Sequence, residues 1–155
     1  MKAVIDARVL FTGIFKEDSA ERSLVKAVES GLIRFIYSAA TQNELMVMIK
    51  NRALEGHRAV TPSEFKQLAS LVEDALKFGV VPDSVRVEPE PGGEWLAGDS
   101  PLNKYVAAAI AGGADYLVSN EPEIRRLDEK ISLPDGRRLR VLGAREFRRI
   151  LSKAG

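Results

Sequence analysis

The chain of 155 residues contains no cysteine and a single histidine, His57. Without cysteine it can form neither disulfides nor thiolate metal sites, and one histidine cannot build a site from several imidazoles. No apolar run approaches the roughly 20 residues that cross a membrane, and Asp6 comes too early for a secretory signal peptide. We therefore expect a cytoplasmic protein that does not cross a membrane, with a functional site built from side chains other than cysteine and histidine.

Net charge is also small, since the formal charge is +1 at pH 7, and no overall field attracts nucleic acid. The distribution is uneven, because ten Lys and Arg residues fall between positions 125 and 153. A basic stripe of this kind can hold a phosphate backbone. The same residues can also form a solvated face paired with neighbouring Asp and Glu, and the sequence leaves both interpretations open.

Short apolar segments alternate with segments of helical spacing. Strands are predicted at 2–6, 34–37, 85–88, 116–118 and 139–142. Helices are predicted at about 19–29, 61–78, 121–127 and 144–153, and two more begin at Ser38 and at Ser100-Pro101, the second ending at Gly112-Gly113. Val9 to Phe11 is expected to add apolar contact before Thr12-Gly13 turns the chain. This order predicts one α/β domain over residues 1–155, with three α/β/α layers and a mainly parallel central sheet.

Four carboxylates occupy positions where such a sheet forms its ligand crevice. Asp6 ends the first strand, Glu44 lies in the helix after the second, Asp99 precedes a helix, and Glu121 follows strand 116–118. Carboxylates brought together repel one another unless protons or cations neutralise them, and hard oxygen ligands suit Mg²⁺ or Mn²⁺. An acid at a strand end can instead cap a helix or lie at the surface, and this alternative stays open.

Three segments resemble the motifs of PIN-domain nucleases. Val4-Ile5-Asp6-Ala7-Arg8-Val9-Leu10 is similar to the opening Ile-Asp-(Thr/Ala)-Asn-Val-Leu of that family. Ser38 through Thr41-Gln42-Asn43-Glu44-Leu45 resembles the second motif, and the segment from Gly113 to Glu121 resembles Gly-Ala-Asp-Tyr-Leu-Val-Thr-Gly-Asp. The resemblance covers nearly the whole chain in the right order and points to the branch of toxin components of toxin–antitoxin pairs.

The resemblance implies a PIN-like fold and a metal-dependent endoribonuclease, in which clustered carboxylates bind Mg²⁺ or Mn²⁺ and water attacks a phosphodiester. It implies RNA as the substrate, a small protein antitoxin as a partner, and a homodimer. The residues implied as metal ligands are Asp6, Glu44, Asp99, Asn103 and Glu121, of which the four acids would be catalytic, with Arg8 and Ser119 in supporting positions.

The chain departs from the family pattern within these motifs. The third motif, usually Asp-Pro-x-Asp-Asp-Lys-Phe-Leu, keeps its first acid as Asp99 but has Leu102 and Asn103 in place of the paired acids. Glu121 replaces a shorter Asp. Arg8 stands where Asn usually orients the first Asp, and a guanidinium there would compete with a metal ion for the carboxylates. The alternative is therefore a catalytically inactive PIN-fold protein that binds RNA or a protein partner.

A phosphotransfer enzyme or a receiver domain also has an acid at the end of its first strand. Phosphatases of the haloacid-dehalogenase type need a second Asp two residues later, where Arg8 stands. Receivers need paired acids after the first strand and a phosphorylatable Asp after the third. The sequence disfavours both classes.

Overall fold

The central element is a five-stranded parallel sheet, seen in a computed structural model that describes residues 1–55, 62, 85–87 and 100–154. The strands are β1 (Lys2–Ile5), β2 (Arg34–Ser38), β3 (Val85–Val87), β4 (Tyr116–Val118) and β5 (Arg140–Leu142). They lie in the order β3-β2-β1-β4-β5, and every neighbouring pair is parallel. The predicted parallel sheet is confirmed.

Six helices belong to the described residues: α1 (Ala7–Phe15), α2 (Ala20–Glu29), α3 (Ala39–Glu55), α4 (Asn103–Gly112), α5 (Pro122–Arg125) and α6 (Ala144–Ala154). Helix α4 packs across β1 to β4, whereas α2 packs against both α1 and α6. Helices cover the sheet in the predicted three-layer α/β/α arrangement. Within the described part of the chain, no helix has the length and apolar character of a membrane span.

Strand β1 lies at the centre because its residues are apolar on both faces. Val4 pairs with Ile36 of β2 on one side and with Leu117 of β4 on the other, and all three side chains are buried. A strand covered on both faces is typically a continuous apolar run. The order of the strands reverses at β1, so the ligand crevice of such a fold lies at the carboxyl ends of β1 and β4.

Helix α1 corrects the prediction of a turn at Thr12-Gly13. Gly13 lies inside this helix, where a Cβ atom would come within 2.5 Å of the Glu21 carbonyl oxygen and 2.6 Å of Val25 Cγ2. The glycine therefore allows α1 and α2 to approach closely. The prediction was wrong because a glycine selected by helix packing has the same sequence signal as one selected by a turn.

The start of α4 also differs from the prediction. The helix begins at Asn103, and a turn precedes it in which Ser100 Oγ accepts a hydrogen bond from Leu102 N at 3.3 Å. Ser100 thus caps the turn that directly precedes the helix and not the helix itself. The predicted end is confirmed, since Gly113 adopts the left-handed conformation with φ of 62° directly after Gly112.

The other predicted strands and helices within the described residues are present, with bounds that differ by one residue at some ends. Ser38 begins α3 as expected: its Oγ accepts a hydrogen bond from Thr41 N at 3.2 Å, and Thr41 Oγ1 accepts one from Ser38 N at 2.9 Å. The helix predicted at 121–127 is shorter, covering Pro122–Arg125. Several predictions lie outside the described residues. They concern His57, Asp99, residue 88 and the helix predicted at 61–78, of which only residue 62 is described.

Candidate functional site

The carboxyl ends of β1 and β4 bring together residues that are 113 positions apart in the chain. Ser119 Oγ donates a hydrogen bond to Asp6 Oδ2 at 2.6 Å and accepts one from Glu121 N at 3.1 Å. Asp6 and Ser119 are both fully buried. Three of the predicted site residues, Asp6, Ser119 and Glu121, therefore belong to one site.

Asp6 is also the N-cap of α1. Its Oδ1 accepts a hydrogen bond from Arg8 N at 3.0 Å, so one carboxylate oxygen satisfies a free N–H of the first helical turn. The other oxygen faces the site. Asp6 therefore caps α1, which is the alternative that the sequence left open, and it also belongs to the site.

The guanidinium of Arg8 lies among three carboxylates. Its Nη2 donates a hydrogen bond to Asp6 Oδ2 at 3.0 Å, its Nε lies 3.1 Å from Glu121 Oε1, and its Nη1 lies 3.9 Å from Glu44 Oε1. The Nε atom is buried and forms no hydrogen bond, so its contact with Glu121 is an ion pair of unfavourable hydrogen-bond angle. Arg8 is the shared cation of these acids.

The carboxylates keep Arg8 charged. Burial lowers the pKa of the Arg8 guanidinium, but the charge and hydrogen bond of Asp6 and the charge of Glu121 raise it, and the net shift is upward. An arginine is a permanent cation in proteins even without such support. No change of pH that leaves the chain folded will remove this charge from the site.

Two residues of α4 complete the arrangement around Glu44. Lys104 Nζ lies 2.6 Å from Glu44 Oε2, and the Tyr105 hydroxyl donates a hydrogen bond to the same oxygen at 2.7 Å. The hydroxyl also accepts a hydrogen bond from Ala7 N at 3.2 Å. Burial, the charge of Asp6 and the hydrogen bond to Glu44 together raise the pKa of Tyr105 far above its usual range, so the hydroxyl stays a donor.

Sequence reasoning did not single out Lys104 and Tyr105 as site residues. A tyrosine that is fully buried needs a hydrogen-bond partner for its hydroxyl, and this is the signal that a predicted core position could have offered. We call Asp6, Arg8, Glu44, Lys104, Tyr105, Ser119 and Glu121 together the Arg8 cluster.

A divalent metal ion does not fit the Arg8 cluster as its side chains stand. The oxygens of Asp6, Glu44 and Glu121 that would face an ion contact Arg8 or Lys104 instead. Within the described residues, no three Asp, Glu, His or Cys side chains are grouped so that they could hold a metal ion. Mg²⁺ or Mn²⁺ at these acids stays a prediction that this geometry does not favour.

The two other residues implied as metal ligands add no carboxylate to the described site. Asn103 is partly buried and opens α4 directly before Lys104, and Asp99 lies outside the described residues. Their roles as ligands stay predictions.

Two groups stand out among the basic residues near the carboxyl end. Arg125, Arg137 and Arg140 pair with the acids Glu146, Asp115 and Asp128, respectively, as the solvated-face interpretation predicts. Exposed arginines of α6, at positions 145, 148 and 149, form no ion pair within the described part of the chain. This second group keeps its charge available to a ligand.

Comparisons with models of protein families, with curated proteins and with solved structures found no match. The resemblance to PIN-domain nucleases therefore stays a prediction, and the function must be inferred from the geometry of the Arg8 cluster and from the surface around it.

Proposed function

We propose that this chain is a PIN-like protein that binds RNA without metal-dependent cleavage, because an arginine occupies the place of the metal ion. The observation that carries this proposal is the position of the Arg8 guanidinium, 3.0 Å from Asp6, 3.1 Å from Glu121 and 3.9 Å from Glu44. A guanidinium neutralises the carboxylates and fills the space between them, but it cannot activate water as a metal ion does.

The energetic argument compares the two cations. A divalent ion that enters the cluster must displace Arg8 from a carboxylate whose side chain is 1% exposed. Leaving a buried charge without its partner costs about 3–5 kcal/mol. The partial exposure of Arg8 and the charge that the entering ion supplies to Asp6 reduce the cost of displacing Arg8 to roughly 2–3 kcal/mol. Since 1.4 kcal/mol corresponds to a factor of ten, the affinity for Mg²⁺ or Mn²⁺ falls roughly 30- to 150-fold relative to the same acids without Arg8.

RNA is the partner that the motifs and the surface both favour. The three motifs resemble those of proteins that act on RNA, and the arginines of α6, which form no ion pair within the described residues, supply charges that a phosphate backbone can use. An antitoxin, a homodimer and a cytoplasmic location stay predictions from the sequence. The metal-dependent endoribonuclease of the toxin type is the competing interpretation, and it differs from the proposal in one observable, cleavage.

A cleavage assay separates the two. Labelled single-stranded RNA is incubated with the wild type and with Asp6→Asn in millimolar Mg²⁺ or Mn²⁺, and binding is followed in parallel with and without EDTA. We expect RNA binding that EDTA does not change, and the same background cleavage for both proteins. Cleavage that requires Mn²⁺ and disappears in Asp6→Asn would overturn the proposal, and so would a wild type that binds no RNA.

A further inference from the structure

A groove runs along α6 on the side of α1 and α2. One hollow of about 630 Å³ lies between α6, the end of α1 and the start of α2. A second hollow of about 440 Å³ continues from it towards the residues that follow β4, and the two share Glu21, Arg145 and Arg149. We call the two hollows together the α6 groove. The described residues that line it include no aromatic side chain.

The sequence of α6 directs its arginines into this groove. Phe147 and Leu151 are buried in the core, and the Phe147 ring lies 5.0 Å from the ring of Tyr116, which sets the rotation of the helix. Positions 145, 148, 149 and 152 recur at the spacing of one helical face. This face is adjacent to the buried one and lines the hollow next to α2.

The charge of the groove is largely unpaired. Lys16, Arg145, Arg148 and Arg149 line the larger hollow, are exposed, and form no ion pair within the described part of the chain. The acids of that lining are Asp18 and Glu21, and Glu21 already accepts a hydrogen bond from Asn120 Nδ2 at 3.1 Å. Cations therefore outnumber acids two to one among the charged residues that line the larger hollow.

Asn120 connects the groove to the Arg8 cluster. It follows Ser119 and precedes Glu121 in the chain, it donates to Glu21, and its Oδ1 accepts a hydrogen bond from Ala144 N at 3.0 Å, where α6 begins. Gly143 leaves room for this approach, since a Cβ there would form a tight contact of 3.3 Å with Asn120 Oδ1. Asn120, which lines the smaller hollow, thus places the groove one residue from Ser119 and Glu121 of the Arg8 cluster.

We infer that the α6 groove holds the phosphate backbone of single-stranded RNA through Lys16, Arg145, Arg148 and Arg149. This inference rests on the proposed function and adds the place where RNA lies. The described residues that line the groove offer cationic side chains and no aromatic platform for stacking bases, so the inference concerns contacts with phosphates. A lipid surface fits less well, because the charges line a hollow and the large apolar residues Phe147 and Leu151 of α6 are buried in the core.

The test measures the anisotropy of labelled oligouridine at increasing KCl concentrations. The groove variant replaces Arg145, Arg148 and Arg149 with alanine. The matched control replaces Arg34, Arg126 and Lys130 with alanine, an equal change of charge at exposed positions outside the groove. A third variant replaces the three groove arginines with lysine and keeps their charge. Melting curves check that each variant is folded.

Each lost phosphate contact lowers the slope of log affinity against log salt by about 0.7 for a single strand. We expect the groove variant to lower this slope by about 2 and the affinity at low salt by at least about tenfold, while the lysine variant keeps most of both. Equal losses in the groove variant and the matched control would overturn the inference. Displacement of oligouridine by polyglutamate at the same charge concentration would overturn the assignment to RNA.

The outcomes separate this inference from the proposed function. A wild type that binds oligouridine without cleaving it, together with a groove variant that binds equally well, refutes the groove and leaves the proposed function standing. Mn²⁺-dependent cleavage that Asp6→Asn abolishes refutes the proposed function, whatever the groove variant does.

Discussion

Arg8→Ala is expected to destabilise the folded chain by about 2 kcal/mol at neutral pH. The variant leaves Asp6, whose side chain is 1% exposed, without the one cation that pairs with it among the described residues. Removing one partner of a buried ion pair typically costs about 3–5 kcal/mol, because a buried charge stays behind uncompensated. It also leaves Glu44 and Glu121 facing Asp6 without the cation that lies between them.

Two features of the structure reduce this cost to about 2 kcal/mol. The side chains of Arg8 and Glu121 are 37% and 38% exposed, and exposed pairs contribute only about 0–1 kcal/mol. Asp6 also keeps the hydrogen bonds from Ser119 Oγ and from the backbone N–H of residue 8. For a chain of this length, 2 kcal/mol corresponds to a fall of about 4–8 °C in Tm.

Urea unfolding in EDTA measures this change, with Arg34→Ala as a control at an exposed arginine that forms no ion pair within the described residues. Arg8→Lys keeps the charge and should lose about half as much stability as Arg8→Ala. In buffer without EDTA, added Mn²⁺ should restore the stability of Arg8→Ala, since a ligand at 100 times its Kd stabilises by about 2.7 kcal/mol. An Arg8→Ala variant as stable as the wild type, with no response to Mn²⁺, would refute this reasoning.

Three further predictions concern the surroundings of the site. Gly13→Ala should destabilise the folded chain by about 1–3 kcal/mol, because the added Cβ would lie 2.6 Å from Val25 Cγ2 and overpacking outweighs the gain in helix propensity. An unchanged Tm would contradict this. Tyr105→Phe should cost about 1–2 kcal/mol in urea unfolding, since Glu44 loses a buried donor, and a loss below the error of the measurement would count against that contact. Asp115→Asn should show its full loss of stability above about pH 4. Burial raises the pKa of Asp115, but hydrogen bonds from the backbone N–H of Lys2 and from Arg137 lower it by more, so the net shift is downward. The stability that this carboxylate contributes is therefore fully present above its pKa in the unfolded chain and disappears as the pH falls through its lower pKa in the folded chain. A stability difference between Asp115→Asn and the wild type that stays constant from pH 6 to about pH 2 would contradict this role of Asp115.

Most of the fold could be predicted because its signals are local. Apolar runs mark β1, β2 and β4, and Ser19 and Ser38 each cap the helix that follows, with Ser19 Oγ accepting a hydrogen bond from Arg22 N. Helix α1 could not be predicted in this way. The reason for its glycine lies in α2, at Glu21 and Val25, and a single segment read alone does not contain that information.

The contacts of the site also divide into local ones, which the sequence predicts, and ones between distant segments, which it does not. The pairing of Asp6 with Arg8 could be predicted, because two residues at the start of one helix are necessarily close. The contact between Tyr105 and Glu44 joins positions 61 residues apart, and it depends on how α4 packs against α3. The reach of Arg8 to Glu121 likewise depends on β1 and β4 being neighbours in the sheet. These contacts follow from the assembled sheet and helices, not from any one motif.

Calorimetric titration with Mn²⁺ tests the central claim most directly. The wild type, Arg8→Ala and the double variant Asp6→Asn/Arg8→Ala are titrated at neutral pH and moderate salt. We expect no saturable binding by the wild type at millimolar Mn²⁺, binding by Arg8→Ala, and loss of that binding in the double variant. Saturable binding by the wild type that Asp6→Asn alone abolishes would show that a metal ion displaces Arg8, and it would contradict the account.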